Sequence, residues 1–152
     1  MQLIPPQESH LVQMLNWFES EKALRDWAGP DFRFPFDLVS FTDDLQLNTL
    51  NSLVLISTEG EFLGFGQFYL RVTRCHLARL VVNPRLRGKG YAPILIEQLC
   101  EIAHKKLKLE EYSLFVFADN QSAIKSYTRC GFAVANYPGE IPLTNCLYMV
   151  RT

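Results

Sequence analysis

The sequence predicts a mixed α/β fold, in which helices flank a central sheet with an antiparallel first half and at least one parallel crossover. Two patterns predict it. Helical spacing of apolar residues gives way to strand patterns after residue 50, and strand–helix–strand–helix alternation follows two hairpin-like strands. The length of 152 residues, with 48% hydrophobic and 20% charged residues, predicts a single domain over 1–152 with its own core.

The first fifty residues are predicted to be mainly helical. Residues 1–4 are predicted as a short edge strand, which Pro5 ends. Ser9 is a plausible N-cap for a first helix, because apolar residues recur at helical spacing from Leu11 to Phe18. A second helix is predicted over 20–27, before Gly29-Pro30, and a third short helix is predicted to begin at 42–44.

The middle of the chain is predicted to be a run of strands. The continuous apolar segment 53–57 predicts a strand, and 58–61 a hairpin turn that leads into a return strand over 62–70. A further apolar strand over 75–82 ends at Asn83-Pro84. These strands form the antiparallel half of the predicted sheet.

The last third of the chain returns to strand–helix alternation. The pattern predicts a helix over 93–107, a buried strand over 112–117, and a helix over 120–129 with Asn120 as its N-cap. Strands over 132–135 and 145–150 complete the predicted sheet. An edge strand such as 145–150 could pair with a second copy, so monomer and homodimer both remain open.

Charge and targeting patterns exclude several function classes. The formal net charge of −1 provides no global attraction to nucleic acid or to an anionic membrane. No run of 18 apolar residues is present, and the first ten residues lack the pattern of a signal peptide. The four cysteines form neither a C-x-x-C pair nor a zinc-spaced cluster. We therefore expect reduced thiols, no metal and a cytoplasmic location.

The most informative segment is the glycine turn, which we define as residues 85–92. It follows the predicted strand 75–82 and opens directly into a helix. Gly88 and Gly90 let the backbone approach a ligand, and the first N–H groups of a helix attract a phosphate. Arg85, Arg87 and Lys89 add positive charge. The turn therefore predicts pyrophosphate binding, although it fits neither a Walker A loop nor a dinucleotide fingerprint.

Two motifs identify a family resemblance. The pattern Arg87-x-x-Gly90-x-Ala92, after an apolar strand, resembles the coenzyme A loop of the GNAT superfamily of acyl-CoA N-acyltransferases. A second segment resembles the other signature of that superfamily, with a strand followed by the residues Asn120, Ala123, Tyr127, Gly131 and Phe132. The resemblance covers roughly residues 53–150, and the first fifty residues resemble the family only in being helical.

The resemblance implies a GNAT fold, in which parallel strands 4 and 5 splay apart to admit the pantetheine arm of acetyl-CoA. It implies an N-acetyltransferase that uses acetyl-CoA as co-substrate, without a metal, and transfers the acetyl group to a primary amine by direct attack in a ternary complex. The implied coenzyme A-binding residues are Leu80, Val81, Val82, Arg87, Gly88, Lys89, Gly90, Tyr91, Ala92, Asn120 and Tyr127. Capping of its helix alone would also explain Asn120.

Tyr127 and His76 are the candidate catalytic residues. By resemblance, the Tyr127 hydroxyl lies near the sulfur of coenzyme A and can protonate the leaving thiolate; the alternative is a tyrosine that only packs on the sheet. His76 is the candidate base, because strand alternation places it on the same face as Leu80 and Val82. A base acting through water is the alternative. Cys75 is interpreted as a core thiol, so a covalent intermediate is not favoured.

Aromatic residues Trp27, Phe32 and Phe34 are the candidate wall of the acceptor site, with core packing as the alternative. The resemblance implies a small-molecule or peptide amine as the acceptor, without selecting one. A non-catalytic acyl-CoA sensor with the same fold is the alternative to an enzyme.

Overall fold

A seven-stranded sheet with the order β1-β2-β3-β4-β5-β7-β6 organises the protein. The computed structural model describes all residues from 1 to 152. Its strands are β1 (Gln2–Ile4), β2 (Asn51–Ile56), β3 (Phe62–Arg71), β4 (Arg74–Val82), β5 (Tyr112–Phe117), β6 (Ala133–Ala135) and β7 (Cys146–Arg151). Its helices are α1 (Glu8–Met14), α2 (Glu21–Ala28), α3 (Leu38–Leu45), α4 (Tyr91–Leu107) and α5 (Gln121–Arg129).

The predicted mixed sheet is confirmed, because β4 and β5 are parallel and every other neighbouring pair is antiparallel. Pairing between β4 and β5 is limited to Cys75–Tyr112, His76–Ser113 and Leu77–Leu114. Both strands continue beyond this point, to Val82 and Phe117, without pairing to each other. The predicted splaying of strands 4 and 5 is therefore present.

Two hydrophobic cores cover the two faces of the sheet. The α4-side core contains Leu77, Leu95 and Leu99, and the opposite core joins α1, α2 and α3 to Val54 and Phe65. Adjacent residues on β2, Val54 and Leu55, belong to different cores because successive strand side chains point to opposite faces. The sheet therefore lies between two helical layers and contributes side chains to both cores.

A β-bulge interrupts β4 at Arg79 and Leu80. The register passes from Gln67–Ala78 to Phe65–Val81, so two β4 residues face the single residue Gly66. A Cβ on Gly66 would lie 2.5 Å from Leu99 Cδ1 and 2.9 Å from Leu80 Cδ2, so the bulge requires glycine there. Because of the extra residue, each β4 side chain after Arg79 points to the face of the sheet opposite to the one that strict alternation predicts.

Three helices begin earlier than the sequence predicts. Gln7, not Ser9, is the N-cap of α1, and the His10 side chain accepts a hydrogen bond from its backbone N–H. The third helix begins at Leu38 rather than at 42–44. The Asp37 carboxylate caps it by accepting a hydrogen bond from Ser40 N. The long helix α4 begins directly after Gly90 rather than at Pro93.

The prediction that 145–150 could be an edge strand is wrong. β7 lies inside the sheet, between β5 and β6, and the two edges are β1 and β6. The strand over 132–135 was predicted, but its place outside β7 was not, because the order of strands in a sheet depends on contacts between residues far apart in the chain. No helix is long and apolar enough to cross a membrane.

Candidate active site

An open cleft of about 940 Å³ runs from the α1–α2 region, past the parted ends of β4 and β5, to the glycine turn and α5. It contains most of the predicted site residues. Those that line it are Trp27, Leu80, Val81, Val82, Arg87, Gly88, Gly90, Tyr91, Ala92, Asn120 and Tyr127. Those that do not are Phe32, Phe34, His76 and Lys89.

The N-terminus of α4 opens onto this cleft without a side-chain cap. Ser20, Asp37 and Asn120 cap α2, α3 and α5 with their side chains, whereas the N-cap of α4 is Gly90, which has none. The 17 residues of α4 supply a full helix dipole, so its first N–H groups can attract an anion.

The two glycines of the turn both adopt left-handed backbone. Gly88 has φ +78° and Gly90 has φ +85°, a region that other residues enter only with strain. A Cβ at either position would meet no protein atom within 4 Å, so the backbone conformation, rather than crowding by the protein, favours glycine there. Arg87 lines the cleft beside these glycines, whereas Lys89 does not line it.

The parted strands provide the second structural feature of the cleft. Beyond Leu77, the side of β4 that faces β5 has no strand partner, although its other side stays paired with β3 up to Val82. Leu80, Val81 and Val82 line the cleft along this free edge. Backbone N–H and C=O groups there can pair with an extended amide-containing ligand, as a further strand would.

Helix α5 contributes Asn120 and Tyr127 to the opposite wall. The Asn120 side chain accepts a hydrogen bond from Ala123 N at 3.3 Å, so the capping role is present, and Asn120 also lines the cleft. Burial raises the pKa of Tyr127 to about 12. The phenol is therefore protonated, and a proton donor, throughout the neutral and mildly alkaline range.

His76 does not lie where strand alternation predicted. The bulge puts Leu80 and Val82 on the face opposite His76, so the predicted shared face is wrong. The His76 side chain is only 2% exposed and packs against the rings of Tyr69 and Phe115, at 5.3 and 4.7 Å. Desolvation, together with the nearby Arg71 charge, lowers its pKa to about 3. Nothing in this position supports the base role.

The predicted aromatic wall is mostly not a wall of the cleft. Phe32 is buried beneath it, with its ring 5.6 Å from that of Trp27. Phe34 is 42% exposed on the surface and stacks edge-on with Phe36. Trp27 alone of the three lines the cleft, and its indole Nε1 is buried without a hydrogen-bond partner.

Sequence reasoning missed Arg79, which lines the cleft from the bulge in β4. Its guanidinium lies 5.1 Å above the Phe32 ring, and its Nη1 donates to Gln67 Oε1 at 2.9 Å. Burial lowers its pKa, but a guanidinium remains charged at any physiological pH. The signal was available, since Arg79 is a single charge inside the apolar run Leu77–Val82.

Two further observations concern metal binding and the other large hollow of the protein. No group of three or more His, Cys, Asp or Glu side chains is placed to hold a metal ion. A second hollow, of about 590 Å³, lies between α2 and residues 142–144, and it contains neither the glycine turn nor Tyr127. The main cleft is therefore the candidate active site.

Comparison with known proteins agrees with this geometry. The sequence profile of the acetyltransferase (GNAT) family matches residues 21–132, which is most of the chain. The chain belongs to the GNAT acetyltransferase family. The matched region includes α2, the whole of β4, the glycine turn and α5, so all of the cleft except residues 16–20 is built from segments that carry the family match.

A curated relative from Escherichia coli (strain K12), the L-amino acid N-acetyltransferase AaaT, is 31% identical to this GNAT protein over 81 residues. The match covers 52% of this chain and 50% of the relative, so the chain spans about half the length of that relative.

Solved structures share the fold. The spermidine N-acetyltransferase from Vibrio cholerae, in complex with CoA and spermine, has a TM-score of 0.74 at 18% identity and covers 98% of this chain and 93% of its own. A chimera of Vibrio cholerae SpeG with hSSAT has a TM-score of 0.73 at 15% identity, and covers 99% of this chain and 95% of its own. At these identities the likeness shows the GNAT fold alone.

Proposed function

We propose that the protein is an acetyl-CoA-dependent N-acetyltransferase that transfers an acetyl group to a primary amine. One observation carries the proposal: the uncapped N-terminus of α4, with Gly88 and Gly90 before it, opens at the mouth of two parallel strands that part after Leu77. An anion site next to an unpaired strand edge fits a ligand with a pyrophosphate at one end and an amide-containing arm at the other. Coenzyme A is such a ligand.

Different parts of the cleft would bind different parts of acetyl-CoA. The first N–H groups of α4, with Arg87, would hold the pyrophosphate, and the left-handed glycines would leave room for it. The free edge of β4 at Leu80 to Val82 would pair with the pantetheine amides. Lys89 lies outside the cleft, so we assign it no direct contact.

Tyr127 is the proposed general acid. Acetyl-CoA supplies the acyl group as a thioester. When the amine nitrogen attacks the carbonyl carbon, a C–N bond forms, the C–S bond breaks, and the Tyr127 hydroxyl gives its proton to the departing sulfur. A backbone N–H on the free edge of β4 would stabilise the negative charge on the carbonyl oxygen.

Water in the open cleft is the proposed acceptor of the proton that the amine loses. The cleft is wide enough to hold water, and His76 lies outside it with a pKa of about 3. A base with that pKa, on a residue that does not line the cleft, is a poor match to proton transfer at neutral pH.

A thermal melt tests the co-substrate. A ligand at about 100 times its Kd adds about 2.7 kcal/mol of stability, which raises Tm by about 5–10 °C for a domain of this size. We expect this shift with acetyl-CoA and no comparable shift with ATP or NAD. No shift at saturating acetyl-CoA would reject the proposal.

Thiol release from acetyl-CoA, followed with a panel of primary amines, tests the reaction. Amine-dependent release supports an enzyme. Binding of acetyl-CoA without release for any amine would instead favour a non-catalytic acyl-CoA sensor. The relatives suggest two amine classes for the panel: AaaT is named for L-amino acids, and the Vibrio cholerae enzyme is bound to spermine.

A further inference from the structure

Arg79 is a half-buried cation that lines the cleft and forms no ion pair, although the carboxylates of Asp31 and Asp44 lie near enough to favour its charged form. None of the ion pairs of the protein includes it. Its Nε–H is buried without an acceptor, and so is the Nε1–H of Trp27, which lines the same cleft. Buried donors and charges are normally satisfied, so two orphaned donors beside one cleft indicate a missing acceptor group.

The protein holds Arg79 in place rather than leaving it mobile. Gln67 is fully buried, and its Nε2 donates to Leu45 O at 2.7 Å and to Ser52 Oγ at 2.8 Å. Because both donors of the amide are used, Oε1 is left to accept from Arg79 Nη1. The Phe32 ring packs under the guanidinium. This arrangement uses one edge of the guanidinium and leaves other N–H groups for a ligand.

The backbone at Arg79 is strained in a way that aims its side chain. Its φ of +50° is left-handed, which is rare for a residue other than glycine, and it occurs within the bulge. Bulges next to active sites commonly redirect a side chain, and strain persists where the fold maintains it. The strained residue lies on the strand whose free edge is the proposed acetyl-CoA site.

We infer that Arg79 binds the carboxylate of the acceptor, so that the amine substrate is an amino acid rather than a polyamine. The inference rests on the proposed N-acetyltransferase function. A guanidinium matches a carboxylate with paired hydrogen bonds, whereas it repels a polycation. Glu19 and Asp26 line the same cleft, and Asp26 is already paired with Lys22. A zwitterionic acceptor suits a cleft that presents both signs of charge.

The test compares acceptors that differ only in the carboxylate, such as L-phenylalanine with phenethylamine, L-leucine with 3-methylbutylamine, and L-lysine with cadaverine; spermine is added as a polyamine. Wild type should favour the amino acid in at least one pair by about 10-fold or more in kcat/KM. Arg79→Gln should lose about 100-fold with that amino acid, mainly through KM, and change little with the decarboxylated amine. Arg25→Gln, which removes a nearby charge outside the cleft, should behave as wild type.

Two results would overturn the inference. One is a wild-type preference for the decarboxylated amines or spermine across the panel. The other is an Arg79→Gln variant that loses activity equally with both members of each pair, because this would mean a purely structural role.

If no amine supports turnover, the proposed function fails and binding decides the inference separately. Amino acids should then raise the Tm of CoA-saturated wild type, and not that of Arg79→Gln. An absence of any such rise would reject the carboxylate site.

Discussion

The Nδ1 atom of His76 lies 2.9 Å from the Oγ atom of Ser113, across the one parallel strand pair of the sheet. The two residues are register partners, and both are buried. This contact holds the histidine at the closed end of the β4–β5 pair, before the strands part. A residue that looked like a base in the sequence is therefore part of the sheet interior.

His76→Gln should flatten the acid dependence of stability. The unfolded histidine binds a proton near pH 6.5, whereas the folded one resists it down to about pH 3. Between these values the unfolded state holds more protons, so stability is lost as pH falls through this window, by up to about 1.4 kcal/mol per pH unit, and this ionisation contributes nothing at pH 7. Urea unfolding at neutral and mildly acidic pH measures the slope.

The exposed residue His104 provides the control for that experiment. His104→Gln makes the same substitution at an exposed site, so a change shared by both variants would not come from the buried imidazole. His10, whose pKa burial also lowers, leaves a residual slope in every variant. An unchanged slope in His76→Gln would show that His76 takes up a proton in the folded state as readily as in the unfolded state, which contradicts the lowered pKa. If kcat/KM of His76→Gln no longer fell at acidic pH as that of wild type does, His76 would be the general base after all.

Tyr127→Phe should lower kcat by about 100-fold or more, because a general acid contributes about 10²–10⁴-fold and phenylalanine has no proton to give. The Kd for acetyl-CoA should stay within about 2-fold, since the ring that lines the cleft is retained. Steady-state kinetics and calorimetry separate the two quantities.

Tyr112→Phe is the matched control for the loss of a hydroxyl. Tyr112 lies outside the cleft, donates to Cys100 O at 3.4 Å, and also has a pKa raised by burial. Its removal should leave kcat unchanged. Full turnover in Tyr127→Phe would mean that another group protonates the thiolate.

Gly90→Ala should weaken acetyl-CoA binding by about 10-fold or more, because alanine resists the left-handed backbone that aims the first N–H groups of α4. Gly60→Ala is the control. Gly60 has the same φ of +85°, a Cβ there would also meet no atom within 4 Å, and it lies in the β2–β3 hairpin away from the cleft. Both variants should lose about 1 kcal/mol of stability. Equal affinity for acetyl-CoA in the two would contradict the assigned role of the turn.

Arg87→Gln should reduce acetyl-CoA affinity by about 10-fold and make it less sensitive to salt, because a phosphate contact with an exposed cation is screened by ions. Lys89→Gln removes the same charge two residues away, from a side chain outside the cleft. We expect it to change affinity by less than about 3-fold. Titration calorimetry at low and high salt gives both values. A larger effect of Lys89→Gln would reverse the assignment.

Local patterns predicted the strands and helices well. The apolar strand into Gly88 and Gly90, and the Asn120 cap before α5, are short-range signals that need no knowledge of the rest of the chain. The glycine turn and the parted strands follow from them through the family resemblance. Errors concentrate at helix starts, where Gln7 and Asp37 cap earlier than expected.

Pairing across the sheet was beyond the reach of such patterns. Alternation along β4 assumes an unbroken strand, yet Gly66 on the neighbouring strand accommodates a bulge that reverses the facing after Arg79. Local patterns likewise did not predict the burial of His76 against Ser113 or the surface position of Phe34, because both depend on contacts between distant residues.

By itself, the sequence determined the element types, the glycine turn before α4 and the position of Tyr127 on α5, because these depend on residues close together in the chain. Only the tertiary structure decided which side chains share the cleft. It removed Phe32, Phe34, His76 and Lys89 from the cleft lining and added Arg79. The reason is physical: strand register and desolvation depend on contacts between residues far apart in the chain, and one extra residue in a bulge is enough to redirect every side chain beyond it.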